Sequence, residues 1–263
     1  MSTPAGLDLD ALLALAGAAA DAGGAVIREA FGRPREVRAK APGDWVSATD
    51  TASERAVRAV LTEAGFPVFG EEEGGERAEV GWLVDPLDGT TNFLHGYPVV
   101  GVSIALVADH TPLVAVVHAP LLGATYAARA GGGTTLDGER VFVSERPVEA
   151  AVCATGFPFR AKARLLEGYF PVFRRALTTF EDLRRAGAAS LDLSWTAAGV
   201  YDGYFEQALG PWDVAAGALL VREAGGVVTD WAGDPDSWLD SGDIVAAPPA
   251  IHEQILDCIA HPA

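Results

Sequence analysis

Apolar side chains at Leu9, Leu12, Leu13, Ala16, Ala20, Ile27 and Phe31 recur with a period near 3.6. The chain therefore opens on a long helix with one face to bury. Asp8 stands where an N-cap acceptor is wanted, and Gly32-Arg33-Pro34 stops the helix. Polar, turn-like residues follow Arg38. A second helical stripe then runs through Ala56, Val57, Val60, Leu61 and Ala64, with Thr51 and Glu54 at capping-box spacing. Pro67-Val68-Phe69 and the apolar run Val80-Gly81-Trp82-Leu83 read as buried strands. If these two pair in parallel, whatever follows each of them emerges at the same sheet edge, where ligands commonly bind.

Residues 99–108, 113–118 and 125–130 alternate or run apolar between turn signals and predict an antiparallel meander, closed by 141–143. Gly131-Gly132-Gly133 and Asp137-Gly138 supply its turns. From about Glu145 the pattern changes. Residues 152–154 form a short strand. Residues 162–179 form a helix with Leu165, Leu166, Tyr169, Phe173 and Leu177 on one side and Pro171 inside it. A helix over 191–198, a strand over 201–206 and a helix over 212–224 follow, the last ended by Gly225-Gly226. Strands over 227–229 and 244–246 and a helix over 251–259 complete the chain. No repeat or low-complexity linker intervenes. The expected architecture is one layered α/β unit, with an N-terminal α+β half over residues 1–146 and a C-terminal α/β half over 147–263.

Composition narrows this picture. Of 263 residues, 49% are hydrophobic, which supports a sizeable core. The net charge of −17 argues against a nucleic-acid partner, which needs clustered Lys and Arg. Cys153 and Cys258 have no metal spacing and read as small apolar residues of a reducing compartment. The apolar run 11–20 ends at Asp21, shorter than the roughly 20 residues of a membrane span, and lacks signal-peptide flanks. A cytoplasmic protein without a membrane partner is the expectation.

The candidate chemistry centres on Val84-Asp85-Pro86-Leu87-Asp88-Gly89-Thr90-Thr91-Asn92-Phe93. Pro86 can hold a sharp exit from the preceding strand, and Gly89 lets the backbone approach a ligand. Thr90-Thr91-Asn92 can open a short helix whose first N–H groups suit a phosphate. Asp85, Asp88 and the Leu87 carbonyl offer oxygen to a hard cation. Asp-Pro and Asp-Gly are equally common in plain turns. The spacing fits neither an EF-hand nor a P-loop, and Pro86 stands where an Asp-x-Asp phosphatase would need its first Asp. One turn cannot surround an ion, and two further segments offer acids. Glu71 lies in Gly70-Glu71-Glu72-Glu73-Gly74-Gly75, a run that also suits a solvated loop. Asp213 sits in the first turn of the helix after Pro211, where a negative charge also complements the helix dipole. Asp50 suits either a helix cap or a supporting role near the site. Ser103 lies in no nucleophile elbow, and His95 and His118 read as structural.

Taken together, Gly70-Glu71-Glu72, Trp82 through Phe93, and Trp212-Asp213-Val214-Ala215-Ala216-Gly217 resemble the inositol monophosphatase family of magnesium-dependent, lithium-sensitive phosphatases. Matches at Asp44 through Asp50, Phe93-Leu94-His95-Gly96, Val102 through Leu106 and Ala197 through Glu206 extend the resemblance in the expected order. It implies an alternating α–β–α–β–α sandwich of the inositol monophosphatase and fructose-1,6-bisphosphatase type, and a homodimer. By that resemblance Glu71, Asp85, the Leu87 carbonyl, Asp88 and Asp213 are ligands of two or three Mg²⁺. Glu71 and Thr90 orient the attacking water, with Asp88 also at the catalytic centre, and Gly89 and Thr90 bind phosphate. Glu206 contacts a substrate hydroxyl. Asp88, Asp213 and Ala189 border the substrate, and Lys40 and Asp50 support the metals. The implied reaction is hydrolysis of a phosphate monoester by metal-activated water, with myo-inositol 1-phosphate as substrate. Fructose 1,6-bisphosphate, histidinol phosphate and adenosine 3′,5′-bisphosphate are the family alternatives. A metal-binding interaction protein serving the transcription machinery is the rival of another class. The segment Arg184-Arg185-Ala186-Gly187-Ala188-Ala189-Ser190 matches the bacterial pattern, and its arginines are candidates for a second phosphate or for plain surface charge. Val100 and Thr125 depart from the family pattern, away from the proposed metal ligands.

Overall fold

Asp8 caps the first helix, α1 (Leu9–Ala30), by accepting a hydrogen bond from the Ala11 N–H at 3.0 Å. The structure, a computed structural model, describes residues 6–33, 37–41, 44–158 and 161–261; of residues 37–41 and 44–46 it describes the backbone alone. The side chain proposed at Lys40 thus lies outside the described residues. Where polar turn residues are expected after Arg38, the backbone forms an antiparallel pair, β1 (Val37–Ala41) with β2 (Asp44–Ser47). The second helix, α2 (Ala48–Leu61), begins earlier than the Thr51–Glu54 spacing implies. Its capping box is Ser47 with Asp50: the Ser47 N–H and Oγ both donate to Asp50 Oδ2, at 2.9 and 2.5 Å. Glu54 is left to a different task.

The strands β3 (Val68–Gly70) and β4 (Val80–Asp88) pair in parallel, as the sequence predicts. After the short helix α3 (Thr90–Leu94) comes an antiparallel meander: β5 (Gly101–Ala108), β6 (Thr111–Ala119), β7 (Ala124–Arg129), β8 (Gly133–Leu136) and β9 (Glu139–Arg140). These strands form a seven-stranded sheet in chain order. Residues 141–143, expected to close it, lie outside any strand; the hairpin of β8 and β9 closes the sheet instead. Two-residue periodicity divides β4 cleanly. Trp82 and Val84 join the core under α1 and α2, and Leu83 joins the core on the other face.

The second half contributes β10 (Val152–Thr155), α4 (Lys162–Thr179), β11 (Asp182–Arg184), α5 (Ala189–Ala197), β12 (Gly203–Glu206), α6 (Pro211–Glu223), β13 (Val227–Thr229), α7 (Trp238–Ser241), β14 (Ile244–Ala247) and α8 (Pro249–Ala260). Its five-stranded sheet has the order β11-β10-β12-β14-β13. Tyr204 of β12 enters the core shared with α5, α6 and the seven-stranded sheet, and Phe205 enters the core under α4 and α8. The layers therefore run α1/α2, large sheet, α5/α6, small sheet, α4/α8. This is the expected α–β–α–β–α sandwich. The strand β11 and the single-turn α7 are not legible in the hydrophobic pattern. Leu177, assigned to the buried side of α4, is 49% exposed; Tyr169, Val172, Ala176 and Phe180 form the buried line.

α1 has 22 residues and is apolar enough to cross a membrane by length and composition, so the short run 11–20 does not settle that question. In the fold its Ala16, Ala19, Ala20, Gly23 and Ile27 face is packed into the core. His118 is structural: it is buried, and its Nδ1 is hydrogen-bonded to Thr125 Oγ1 at 2.9 Å. His95 closes α3 through its backbone, and its side chain is exposed. Both cysteines are buried and free.

Candidate metal centre and active site

Parallel pairing aligns Gly70 with Val84, and the Glu71 N–H extends that ladder by donating to the Val84 carbonyl at 3.1 Å. Glu71 thus leaves β3 level with the residue before Asp85. Along β4, Asp85 and Asp88 are three apart, a spacing that puts side chains on opposite faces of a regular strand. The ladder with β5 is irregular there: Asp85 faces Ser103 and Asp88 faces Gly101. One extra residue on β4 is a bulge, and Pro86, with no N–H to give, falls inside it. The bulge restores both aspartates to the same side. Asp213 arrives from the middle layer as the third residue of α6, held by the Gly210 N–H at 2.6 Å. Ser103 Oγ donates to the Trp212 carbonyl at 3.0 Å and ties the start of α6 to β5.

Glu71, Asp85 and Asp213 each bring a carboxylate oxygen to within 4.8 Å of the other two. Burial first, and then the charges of Glu71, Asp88 and Asp213, hold the Asp85 carboxyl well above the usual range. The Leu87 N–H, 2.9 Å from Asp85 Oδ1, offsets part of this. Acids drawn from three distant segments to one spot are a donor set suited to a hard divalent cation.

A cleft of about 340 Å³ opens over this cluster. Glu71, Asp85, Leu87, Asp88 and Asp213 line it on one side. Gly89, Thr90, Ala189 and Glu206 line it too, so among the described side chains every site residue expected from the sequence except Asp50 meets there. Gly89 caps α3 with φ 89°, and a Cβ would sit 2.9 Å from the Val99 carbonyl, so the turn requires glycine. Thr90 Oγ1 donates to Asp50 Oδ1 at 2.7 Å and stands 3.2 Å from the Leu87 carbonyl. Asp50 is thus both cap and support, and burial raises its pKa despite the bonds from Ser47 and Thr90. Glu206 accepts from the Tyr204 hydroxyl at 2.5 Å, and burial pushes its carboxyl up to about 7.

The segment Arg184 through Ser190, singled out in the sequence, reaches the site, and Phe157 and Lys162 join it unforeseen. Ser190 donates through both N–H and Oγ to Asp88 Oδ2, at 2.7 and 2.6 Å, across 102 residues of chain. Phe157, Lys162 and Arg185 also line the cleft. Arg185 lies over the Phe157 ring, 5.8 Å from its centroid. Arg184 pairs with Asp182. Both arginines are exposed, and of the two Arg185 lines the cleft.

Comparison with known proteins decides the family. The profile of the inositol monophosphatase family matches residues 8–261. The chain belongs to the inositol monophosphatase family. It is 44% identical over 228 residues to a putative Nus factor SuhB of Neisseria meningitidis serogroup B, covering 84% of this chain and 86% of that one. It is 39% identical over 234 residues to an inositol-1-monophosphatase of Mesorhizobium japonicum, covering 86% and 87%. The extragenic suppressor protein suhB of Bartonella henselae superimposes with a TM-score of 0.91 at 34% identity, covering 96% of this chain and all of that one. Inositol monophosphatase family members are in general magnesium-dependent phosphatases, and the acid cluster at this cleft fits that dependence.

One buried acid beside the site is only partly balanced, by the charge of Arg185. Asp192 of α5 is 1% exposed, and its Oδ1 has no hydrogen-bond partner among the described residues. Burial, then the charges of Glu206 and Asp88, pushes its carboxyl well up. A folded pKa above the unfolded value means that the cost is absent below the unfolded pKa, grows above it, and is complete once pH exceeds the folded pKa. Asp192→Asn should therefore melt higher than the parent at pH 8, by about 2–4 °C for each kcal/mol relieved. The two should converge near pH 3. Melting curves at both pH values check this.

Proposed function

We propose that this protein hydrolyses the phosphate monoester of a small polyol, with myo-inositol 1-phosphate the preferred substrate. The observation that carries this reading is the convergence of Glu71, Asp85 and Asp213 within 4.8 Å beneath a cleft that also holds Gly89, Thr90 and Glu206. Glu71, Asp85, the Leu87 carbonyl, Asp88 and Asp213 would hold two or three Mg²⁺, which when bound supply Lewis acidity to the phosphate and to water. The chain itself supplies the alignment. Thr90 Oγ1, fixed by Asp50, and the Glu71 carboxylate orient the attacking water. The N–H groups of Gly89 and Thr90, at a helix start with no intrahelical partner, receive phosphate oxygens. Glu206 accepts from a ring hydroxyl, and the Tyr204 hydroxyl holds its other oxygen. Asp88, Ala189 and Asp213 complete the border of the substrate.

Arg185 is the observation that favours a second anionic group. Fructose 1,6-bisphosphate and adenosine 3′,5′-bisphosphate therefore belong beside histidinol phosphate in the test. Rates on the four compounds, with and without Mg²⁺, should put myo-inositol 1-phosphate first and fall to background without the metal. A panel in which it is the poorest overturns the substrate assignment. The same reading includes a homodimer, a cytoplasmic location supported by two buried free thiols, and inhibition by lithium. The names of the SuhB relatives favour a second reading, protein contacts in transcription without essential catalysis. An Asp88→Asn variant that hydrolyses nothing yet keeps its cellular role would establish it.

A further inference from the structure

Asp50, Glu54 and Arg58 follow one another at four-residue spacing along α2, so their side chains share one face of the helix. At one end of that face Asp50 receives the Thr90 hydroxyl, and Ser53 beside it donates to the Pro86 carbonyl at 2.7 Å. The other end grips the loop after β3. Glu54 is fully buried, and its carboxylate accepts the backbone N–H groups of Glu72 at 2.8 Å and Glu73 at 3.2 Å. Arg58 pairs with Glu54 at 2.6 Å, donates to the Val68 carbonyl at 2.9 Å, and donates to the Gly74 carbonyl as well. The Gly70 N–H closes the loop on the Gly74 carbonyl at 2.9 Å. Room for the clamp depends on glycine, since a Cβ on Gly70 would overlap the Glu54 carboxylate.

Glu71 lies at the centre of these bonds. Its own N–H is taken by Val84, and the next two N–H groups are taken by Glu54, so three successive amides are fixed. The fixation opposes a specific force: without a cation, Asp85 and Asp213 repel the Glu71 carboxylate and push the loop outward. A buried ion pair is a poor device for stability alone, because apolar residues of the same volume often do as well. This pair satisfies four backbone groups of the segment that delivers a metal ligand.

We propose that Glu54 and Arg58 are positioning residues that hold Glu71 against Asp85 and Asp213 and so set the affinity of the centre for a divalent cation. The proposal rests on reading the acid cluster as a magnesium site. Supporting partners of metal ligands typically contribute 10–100-fold to affinity.

The test titrates Mg²⁺ alone into the parent, Glu54→Gln and Arg58→Lys, by calorimetry and by melting temperature against Mg²⁺ concentration. Arg58→Lys keeps the charge opposite Glu54 and is the variant expected to fold if Glu54→Gln does not. Both variants should need roughly 10–100 times more Mg²⁺ at half-saturation. Turnover of myo-inositol 1-phosphate at saturating Mg²⁺ should stay within about threefold of the parent, since the ligands themselves are intact. A purely structural role would lower the metal-free melting temperature and leave the Mg²⁺ midpoint alone. A parent that binds Mg²⁺ normally beside a folded variant with an unchanged midpoint overturns this proposal and leaves the phosphatase reading standing. A parent with no Mg²⁺ midpoint overturns both.

Discussion

Asp85→Asn is expected to raise the melting temperature of the metal-free protein, abolish its response to Mg²⁺, and cut hydrolysis by well over the roughly 100-fold typical of losing an outer-shell partner. The three signs have one cause. The Asp85 carboxyl is buried at 1% exposure, and its pKa lies well above the ordinary carboxylate value. A raised folded pKa costs stability once pH exceeds the unfolded value, and the cost is complete above the folded pKa. The amide removes the ionisation and keeps an oxygen for the Leu87 N–H at 2.9 Å, so the bulge in β4 should survive. At pH 8 without metal the variant should therefore outlast the parent, and near pH 3 the difference should vanish. Mg²⁺ supplies to the parent what the substitution supplies to the variant, neutralisation of the cluster, by mass action on the folded state. Melting curves at pH 8 with and without millimolar Mg²⁺, together with turnover of a phosphate monoester, measure all three. A variant that still gains stability from Mg²⁺ and keeps more than a tenth of its activity would remove Asp85 from the metal set.

The centre was legible where its chemistry is compressed. Asp85 through Thr90 place two acids, a proline and a glycine in six residues, a density that a plain turn rarely needs, and all of the six but Pro86 line one cleft. Glu71 was legible because two short apolar runs precede two acidic segments, and parallel pairing brings those segments together. Periodicity marked the helices and strands of one layered unit, and it sorts Trp82 from Leu83 and Tyr204 from Phe205; the five-layer order was implied by the family resemblance. Ser190 lay in a segment singled out by resemblance, but its bond to Asp88 could not be read, because the partner is 102 residues away. Two overlapping capping patterns, Ser47 with Asp50 and Thr51 with Glu54, obscured the start of α2. Tertiary structure decided between them by drawing Glu54 to the loop after β3. On α4 the stripe was placed too far round: Ala176, small and easily discounted, is buried at 1% exposure where the larger Leu177 was expected. β11 is short and partly polar, so nothing in Asp182-Leu183-Arg184 marks it as a strand.

Thr90 carries the second large effect, because its hydroxyl has one proton and two acceptors. Thr90 Oγ1 is 2.7 Å from Asp50 Oδ1 and 3.2 Å from the Leu87 carbonyl, and the shorter contact takes the proton. The lone pairs then remain for a water in the cleft that Thr90 lines. Asp50 is fixed in turn by the Ser47 N–H and hydroxyl, so the orientation of Thr90 is anchored at the start of α2. Thr90→Val keeps the shape and removes the proton relay. Losing a positioned proton-transfer group costs about 10²–10⁴-fold in rate, and kcat for the monoester should fall by at least the lower figure. The fold should lose little, since one net hydrogen bond is worth about 1 kcal/mol. Thr90→Ser restores the hydroxyl without the methyl and should recover activity to within several-fold, with the Mg²⁺ midpoint unchanged in both variants. That combination separates a role in orienting water from a role in holding metal. A valine variant that keeps more than half the parental kcat, or a serine variant as inactive as valine, would show that the hydroxyl does not act on the reacting water.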